Sequence, residues 1–184
     1  MSFPLKDSEI AKATSSRIVD VSSAWPIIFQ ACKTQKIELN NPRILVACVA
    51  TIAIEDHFRP IEENGDAEYF RKTYGKRSDY EVDSAGLWKW RGRGFIQLTG
   101  KENYQKYSSP EVDLLTHPEK ALEPKIAARI FAEYFKNAKC DIWADRGHWL
   151  KVRELVNGKR EGKKPNGWND FSEYIWKLLD LAYT

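Results

Sequence analysis

The chain has 184 residues, 29 Lys and Arg against 26 Asp and Glu, a formal net charge of +3 and 42% hydrophobic residues. That length suits one domain over 1–184 with a substantial core, two lobes around a cleft being the other arrangement it allows. The near balance of charge is far from the strongly basic footprint of a nucleic-acid binder, and Cys32, Cys48 and Cys140, an odd set without a Cys-x-x-Cys pair, argue against a disulfide scaffold.

Residues 1–20 carry Lys6, Asp7, Glu9, Lys12 and Arg17 and lack an apolar h-region, and nowhere is there an apolar run of about eighteen residues. The expectation is a protein made in the cytoplasm without a signal peptide. A first helix is expected over Trp25–Cys32. The next begins at Asn41, a good N-cap, with Pro42 in its first turn, and Ile44 to Ile54 is apolar or small on every face, as in a helix enclosed by others. This helix delivers Glu55 near its C-terminal end, where burial and the helix dipole both favour a protonated carboxyl, the state a general acid needs. Pro60 and Gly65 end any helix soon after. Glu63 lies in the following loop with Asn64 and Gly65, a more hydrated setting suited to a general base, and the neighbouring Glu62 competes for that role.

A short hairpin or three-stranded sheet is expected near residues 66–100. Within it, an extended segment over 93–99 would put Arg93, Phe95, Gln97 and Thr99 on one face and Gly94, Ile96 and Leu98 on the other. An amide and a hydroxyl side by side can orient a water molecule or a sugar hydroxyl; a plain edge strand facing water has the same spacing. Trp88 and Trp90, interleaved with Lys89 and Arg91, can stack on sugar rings or belong to the core. Basic residues cluster at Arg71, Lys72, Lys76 and Arg77, at Lys89, Arg91 and Arg93, and at Lys159, Arg160, Lys163 and Lys164. They are either solvated loops or a surface that attracts an anionic polymer such as the cell envelope.

Further helices follow. Lys125–Ala138 aligns Ile126, Ile130, Phe131, Tyr134 and Phe135 in one stripe; Trp149, Val152, Leu155 and Val156 form another that Asn157-Gly158 ends; Phe171, Ile175, Leu178 and Leu179 make a terminal amphipathic helix. His57, His117 and His148 are too scattered for metal-ligand spacing, so neither a metal nor another cofactor is expected.

Arg91-Gly92-Arg93-Gly94-Phe95-Ile96-Gln97-Leu98-Thr99-Gly100, continuing through Asn103-Tyr104, together with Glu55 and Phe58-Arg59-Pro60-Ile61-Glu62-Glu63, resembles the glycoside hydrolase family 19 chitinases and, more closely, the short lysozyme-like phage endolysins related to them. The resemblance covers roughly residues 42–107, with weaker traces to 170. It implies a mainly α, lysozyme-like α+β fold with a small β-hairpin or sheet lining a substrate cleft. It also implies Glu55 as general acid, Glu63 as general base and Thr99 as the hydroxyl that positions water. Inversion at the anomeric carbon would follow, with carboxyls about 6.5–9.5 Å apart. Gln97 and Asn103 fall where the family uses amides to bind sugar, and Asn157-Gly158 resembles its later Asn-Gly turn lining the cleft; Trp90, Arg93, Tyr104 and Asn157 are expected as further substrate contacts. The chain departs from the pattern at Ile54, Asp56 and His57 around the acid, in a loop to Glu63 one residue shorter, and at Phe171, where related sequences often carry Arg.

The expectation is an endolysin-type muramidase of a bacteriophage or prophage, cutting peptidoglycan between N-acetylmuramic acid and N-acetylglucosamine. It would be a monomer made in the host cytoplasm, acting on the wall in the periplasm, and the resemblance implies a companion holin. Two alternatives stand beside it: a chitinase acting on N-acetylglucosamine polymers, and a glycan-binding protein without catalysis.

Overall fold

The computed structural model describes residues 5–159 and 161–183. Among them the helices are α1 (Asp7–Ala13), α2 (Ile18–Thr34), α3 (Pro42–Asp56), α4 (Ala67–Tyr74), α5 (Lys101–Lys106), α6 (Pro124–Asn137), α7 (Cys140–Asp145), α8 (Trp149–Asn157) and α9 (Trp168–Ala182), with a 3-10 turn at Pro118–Leu122. The five helices expected from the sequence are all present, as α2, α3, α6, α8 and α9. The first is longer than expected, because Pro26 lies within α2 without ending it.

At the centre is α3. Asn41 Oδ1 accepts the backbone N–H of Arg43 at 3.0 Å, Pro42 occupies the first turn, and every residue from Ile44 to Ala53 is buried. That even burial follows from α7, α8 and α9 packing against it, while α2 packs on α1 and α6. Two consecutive residues in left-handed conformation, His57 at φ 50° and Phe58 at φ 66°, stop the helix. Side chains other than glycine adopt this conformation at a cost of about 1–3 kcal/mol each. It persists here because Phe58 is buried edge-on against Trp25, with ring centroids 6.4 Å apart.

The expected sheet is not formed. Asp66 accepts the N–H of Tyr69 at 2.8 Å and so caps α4, which turns residues 67–74 helical. Among the described residues the pairing in this region is confined to single bridges, Glu62 with Arg93, Val82 with Trp88 and Arg93 with Leu98. Residues 93–98 make a tight loop in place of a strand: Arg93 and Leu98 exchange backbone hydrogen bonds of 2.8 and 3.2 Å across it. Gly94 at φ 76° and Gln97 at φ 48° supply the turn. Gly94 also passes so close to the 3-10 turn that a Cβ there would meet the Ala121 carbonyl oxygen at 2.6 Å.

The three cysteines are buried free thiols. Burial pushes the Cys48 thiol well up and that of Cys140 to about 12, which keeps both in their unreactive protonated form. No helix among the described residues is long and apolar enough to cross a membrane.

Candidate functional site

Two carboxylates with different surroundings are brought in by α3 and by the loop after it. Glu55, whose side chain is 12% exposed, forms an ion pair through Oε1 with Arg153 of α8, itself 3% exposed. The guanidinium also donates from Nε to the Asn166 carbonyl at 2.8 Å, and the Asn166 N–H in turn reaches Asn157 Oδ1 at 3.1 Å. Asn157 thus braces the segment that supports Arg153. Gly167 closes this corner, since a Cβ on it would stand 2.8 Å from Ile54 Cγ1 and 3.3 Å from Arg153 Nη2. The sequence suggested burial at the end of an apolar helix for Glu55; the structure adds a buried cation beside it. Arg153 was not singled out in the sequence, although its spacing puts it on the same helix face as Trp149, Val152 and Val156.

The unpartnered carboxyl is the next residue. Asp56 is 2% exposed and neither of its oxygens has a hydrogen-bond partner among the described residues. Burial first, and the charge of Glu55 second, raise its pKa well above the ordinary carboxylate value. A carboxyl whose pKa is raised by folding stabilises the fold fully below the unfolded pKa and loses that contribution as pH rises through the folded value. Asp56→Asn, of the same shape and always neutral, is therefore expected to raise the unfolding midpoint at pH 8 and to leave it unchanged near pH 3. Equal shifts at both pH values in urea melts would contradict this.

Glu62 and Glu63 point to different tasks. Glu62 lies between two buried arginines: Oε1 pairs with Arg91 Nη2 at 2.9 Å and Oε2 with Arg93 Nε at 2.5 Å. Arg91 continues to Asp83 at 2.6 Å and Arg93 to the Lys89 carbonyl and the Tyr104 hydroxyl, each at 2.9 Å. The Tyr104 hydroxyl donates to the Arg91 carbonyl at 2.7 Å. This cluster ties residues 88–98 together from inside. Glu63 instead takes three donors: Oε1 accepts the hydroxyls of Tyr69 at 3.0 Å and Tyr74 at 2.9 Å, and Oε2 accepts the Gly92 N–H at 3.0 Å. Tyr74 is held for this by stacking on Trp88, with centroids 4.0 Å apart. The two tyrosines come from α4, where the sequence reading noticed only the basic residues.

Gly92 is the point of convergence. A Cβ placed on it would lie 2.7 Å from Gln97 Oε1, 3.3 Å from Thr99 Oγ1 and 3.4 Å from Glu63 Oε2. Three oxygens on separate side chains thus converge beside Gly92, closer than a methyl group there would allow, an arrangement suited to a donor such as water or a sugar hydroxyl. The Gln97 amide is fixed by donating to the Ile61 and Gly94 carbonyls at 3.0 and 3.2 Å. Thr99 donates its hydroxyl to the Gln97 carbonyl at 2.7 Å, which leaves the Oγ1 lone pairs to accept. Gly92→Ala should therefore push the Gln97 amide aside while leaving the protein folded, and reduce any hydrolysis about 100-fold by disturbing the oxygens that would orient the reacting water; an alanine variant of normal rate would show that their convergence is not used.

The remaining expected positions divide. Asn103 is exposed and donates to the Thr99 carbonyl at 2.8 Å, beside the cluster. Trp90, Arg93 and Tyr104 are buried, as is Trp88, so their expected contact with sugar is replaced by a supporting role: a ring or guanidinium enclosed in the core has no face to offer. The basic run 89–93 is likewise not a surface for anions, because Arg91 and Arg93 are consumed by Glu62 and Lys89 lies over the Trp90 ring at 4.6 Å. In the last cluster Lys164 lies over Trp168 at 5.6 Å, and Arg160 falls outside the described residues. Phe171, which stands where related sequences often carry Arg, is fully buried in α9. Among the described residues no group of three or more His, Cys, Asp or Glu side chains is placed to hold a metal ion.

The chain matches no protein-family model and no curated protein. Its backbone does superpose on a solved structure, the crystal structure of chitinase C from Streptomyces griseus HUT6037, over 100% of this chain and 78% of that one, with a TM-score of 0.67 at 15% sequence identity. The mainly helical arrangement around α3 is thus a lysozyme-like fold similar to that of a chitinase.

Proposed function

We propose that the protein is an inverting glycoside hydrolase in which Glu55 is the general acid and Glu63 the general base. The observation that carries this reading is the division of labour between neighbouring carboxylates: Glu62 is spent on Arg91 and Arg93, whereas Glu63 Oε2 converges with Thr99 Oγ1 and Gln97 Oε1 beside Gly92. In this mechanism Glu63 takes a proton from a water held by Thr99 and Gln97, and the water attacks the anomeric carbon. Glu55, oriented by Arg153 through Oε1, protonates the departing glycosidic oxygen from Oε2. Both carboxylates then exchange their protons with solvent for the next turnover.

The substrate we propose is bacterial peptidoglycan, cut at the β-1,4 bond from N-acetylmuramic acid to N-acetylglucosamine, as in the phage endolysins that the Arg91–Gly100 segment resembles. The similarity of fold to a chitinase supports a second reading, hydrolysis of N-acetylglucosamine polymers. Digestion of purified sacculi and of chitin oligomers, with the new reducing ends identified by mass spectrometry, tests both. Fragments ending in N-acetylmuramic acid are expected; cleavage of chitin alone would select the second reading, and binding without new reducing ends from either polymer would leave a glycan-binding protein.

A further inference from the structure

At the other end of α3 from Glu55 is an open groove of about 600 Å³. Its walls include Arg43, Arg146, Trp149, Trp176 and Tyr183, with Asp180 as the acidic residue among them. Arg43 and Glu55 are twelve residues apart on one helix, so at about 1.5 Å per residue they stand about 18 Å apart. The groove is therefore separate from the carboxylate site.

Three features set this surface apart. Trp176 is 62% and Tyr183 66% exposed, the two most exposed large apolar side chains of the described residues. Large rings left in water are characteristic of contact surfaces, and their combination of apolar face and polar edge suits the alternating CH and OH faces of pyranose rings. Arg43 and Arg146 are exposed, and neither has a carboxylate within ion-pair distance among the described residues, although most other arginines of the chain do. Arg43 is braced by donating to the Asp145 carbonyl at 3.0 Å, and Arg146 by the Trp143 ring at 5.5 Å, so both guanidiniums are positioned before any ligand arrives. A guanidinium of this kind binds a carboxylate through two parallel hydrogen bonds.

We propose that the groove is a second glycan-binding site for a carboxylate-bearing aminosugar polymer, the rings stacking on Trp176 and Tyr183 and the carboxylates of the peptide stems pairing with Arg43 and Arg146. The choice of peptidoglycan as that polymer rests on the glycosidase reading above. Chitin has the same ring faces but no carboxylates and leaves the arginines unused. Holding one strand in the groove raises the effective concentration of the polymer at the carboxylate site without a new contact there.

The test is co-sedimentation of the full-length protein with purified sacculi, in a Glu55→Gln background so that no strand is cut, comparing Trp176→Ala and Arg146→Gln. Both substituted side chains are exposed, so the fold should survive. Each variant is expected to weaken binding about tenfold, the arginine effect fading near 1 M salt, where charges are screened beyond about 3 Å. Hydrolysis of a short soluble oligosaccharide by the same variants with Glu55 restored should be unchanged. Undiminished binding of both variants to sacculi overturns the proposal. So does an equal loss of binding to chitin and to sacculi in Arg146→Gln, and so does a dimer that Trp176→Ala converts to monomer, which would make the groove a self-association surface. Trp176-dependent binding by a protein that cuts neither polymer would sink the glycosidase reading and leave the groove standing.

Discussion

Glu63→Gln is expected to abolish hydrolysis while leaving the fold intact, and Glu62→Gln to do the reverse. At position 63 the amide oxygen can accept the Gly92 N–H while the NH2 donates to the Tyr69 and Tyr74 hydroxyls, which rotate to accept, so the three contacts of 2.9–3.0 Å can be retained with two of them reversed. What is lost is the group that removes the proton from water, and a loss of about 100-fold or more in kcat follows from the usual contribution of general base catalysis. At position 62 the amide removes the charge that Arg91 and Arg93 share, and those arginines are only 6% and 3% exposed. Taking one partner from a buried ion pair costs about 3 kcal/mol, here moderated by Asp83, which stays bound to Arg91. Stability from urea melts and kcat on sacculi should therefore move independently in the two variants. A Glu62→Gln protein that is stable and inactive would transfer the base to residue 62.

The second large effect concerns Glu55 and Arg153. Glu55→Gln should bind glycan normally and lose about 100-fold or more in kcat, since the amide keeps a hydrogen bond to Arg153 but has no proton to deliver. Arg153→Met should behave differently. It removes the cation from beside a carboxylate that is 12% exposed, and it also breaks the 2.8 Å bond to the Asn166 carbonyl that secures the turn before α9. A loss of about 3 kcal/mol in stability is expected together with reduced activity. Combining the two substitutions separates the effects: if the pair matters for stability, the double variant should be more stable than Arg153→Met alone, because the uncompensated charge is gone. Additive losses in the melts would mean that Arg153 acts on the turn at Asn166 and not on Glu55.

The helices were legible where a single physical signal dominated. Asn41-Pro42 followed by an unbroken apolar run could only begin a buried helix, and the stripes in α6, α8 and α9 gave their elements directly. The segment 93–99 misled for a physical reason: alternation of polar and apolar side chains also fits a tight loop whose apolar members, Phe95, Ile96 and Leu98, all turn inward once Gly94 and Gln97 take positive φ. The sheet expected before it was displaced by a side-chain cap at Asp66, a local bond that periodicity does not register. Of the candidate site, Glu63, Gln97, Thr99 and the glycine turn were singled out by the resemblance of two short segments, 58–63 and 91–100, which the fold lays against each other through Glu63 N–H to Gly92 O at 2.8 Å and Gly94 N–H to Ile61 O at 3.0 Å. The tyrosines of α4 and Arg153 were not, since nothing in their immediate sequence says which carboxylate they will meet.

Arg153 lies 98 positions along the chain from the glutamate it holds. A polypeptide emerging from the ribosome therefore presents Glu55, Glu63, Gln97 and Thr99 well before the residue that orients Glu55 has been made. Residues 5–140, released early or cut free by a protease, would carry the sequence signature of the site without its geometry. On the glycosidase reading proposed above, competence is in this sense timed: it arises only once α8 has been made and docks on α3, so a chain that stops short of α8 would lack the group that orients the acid.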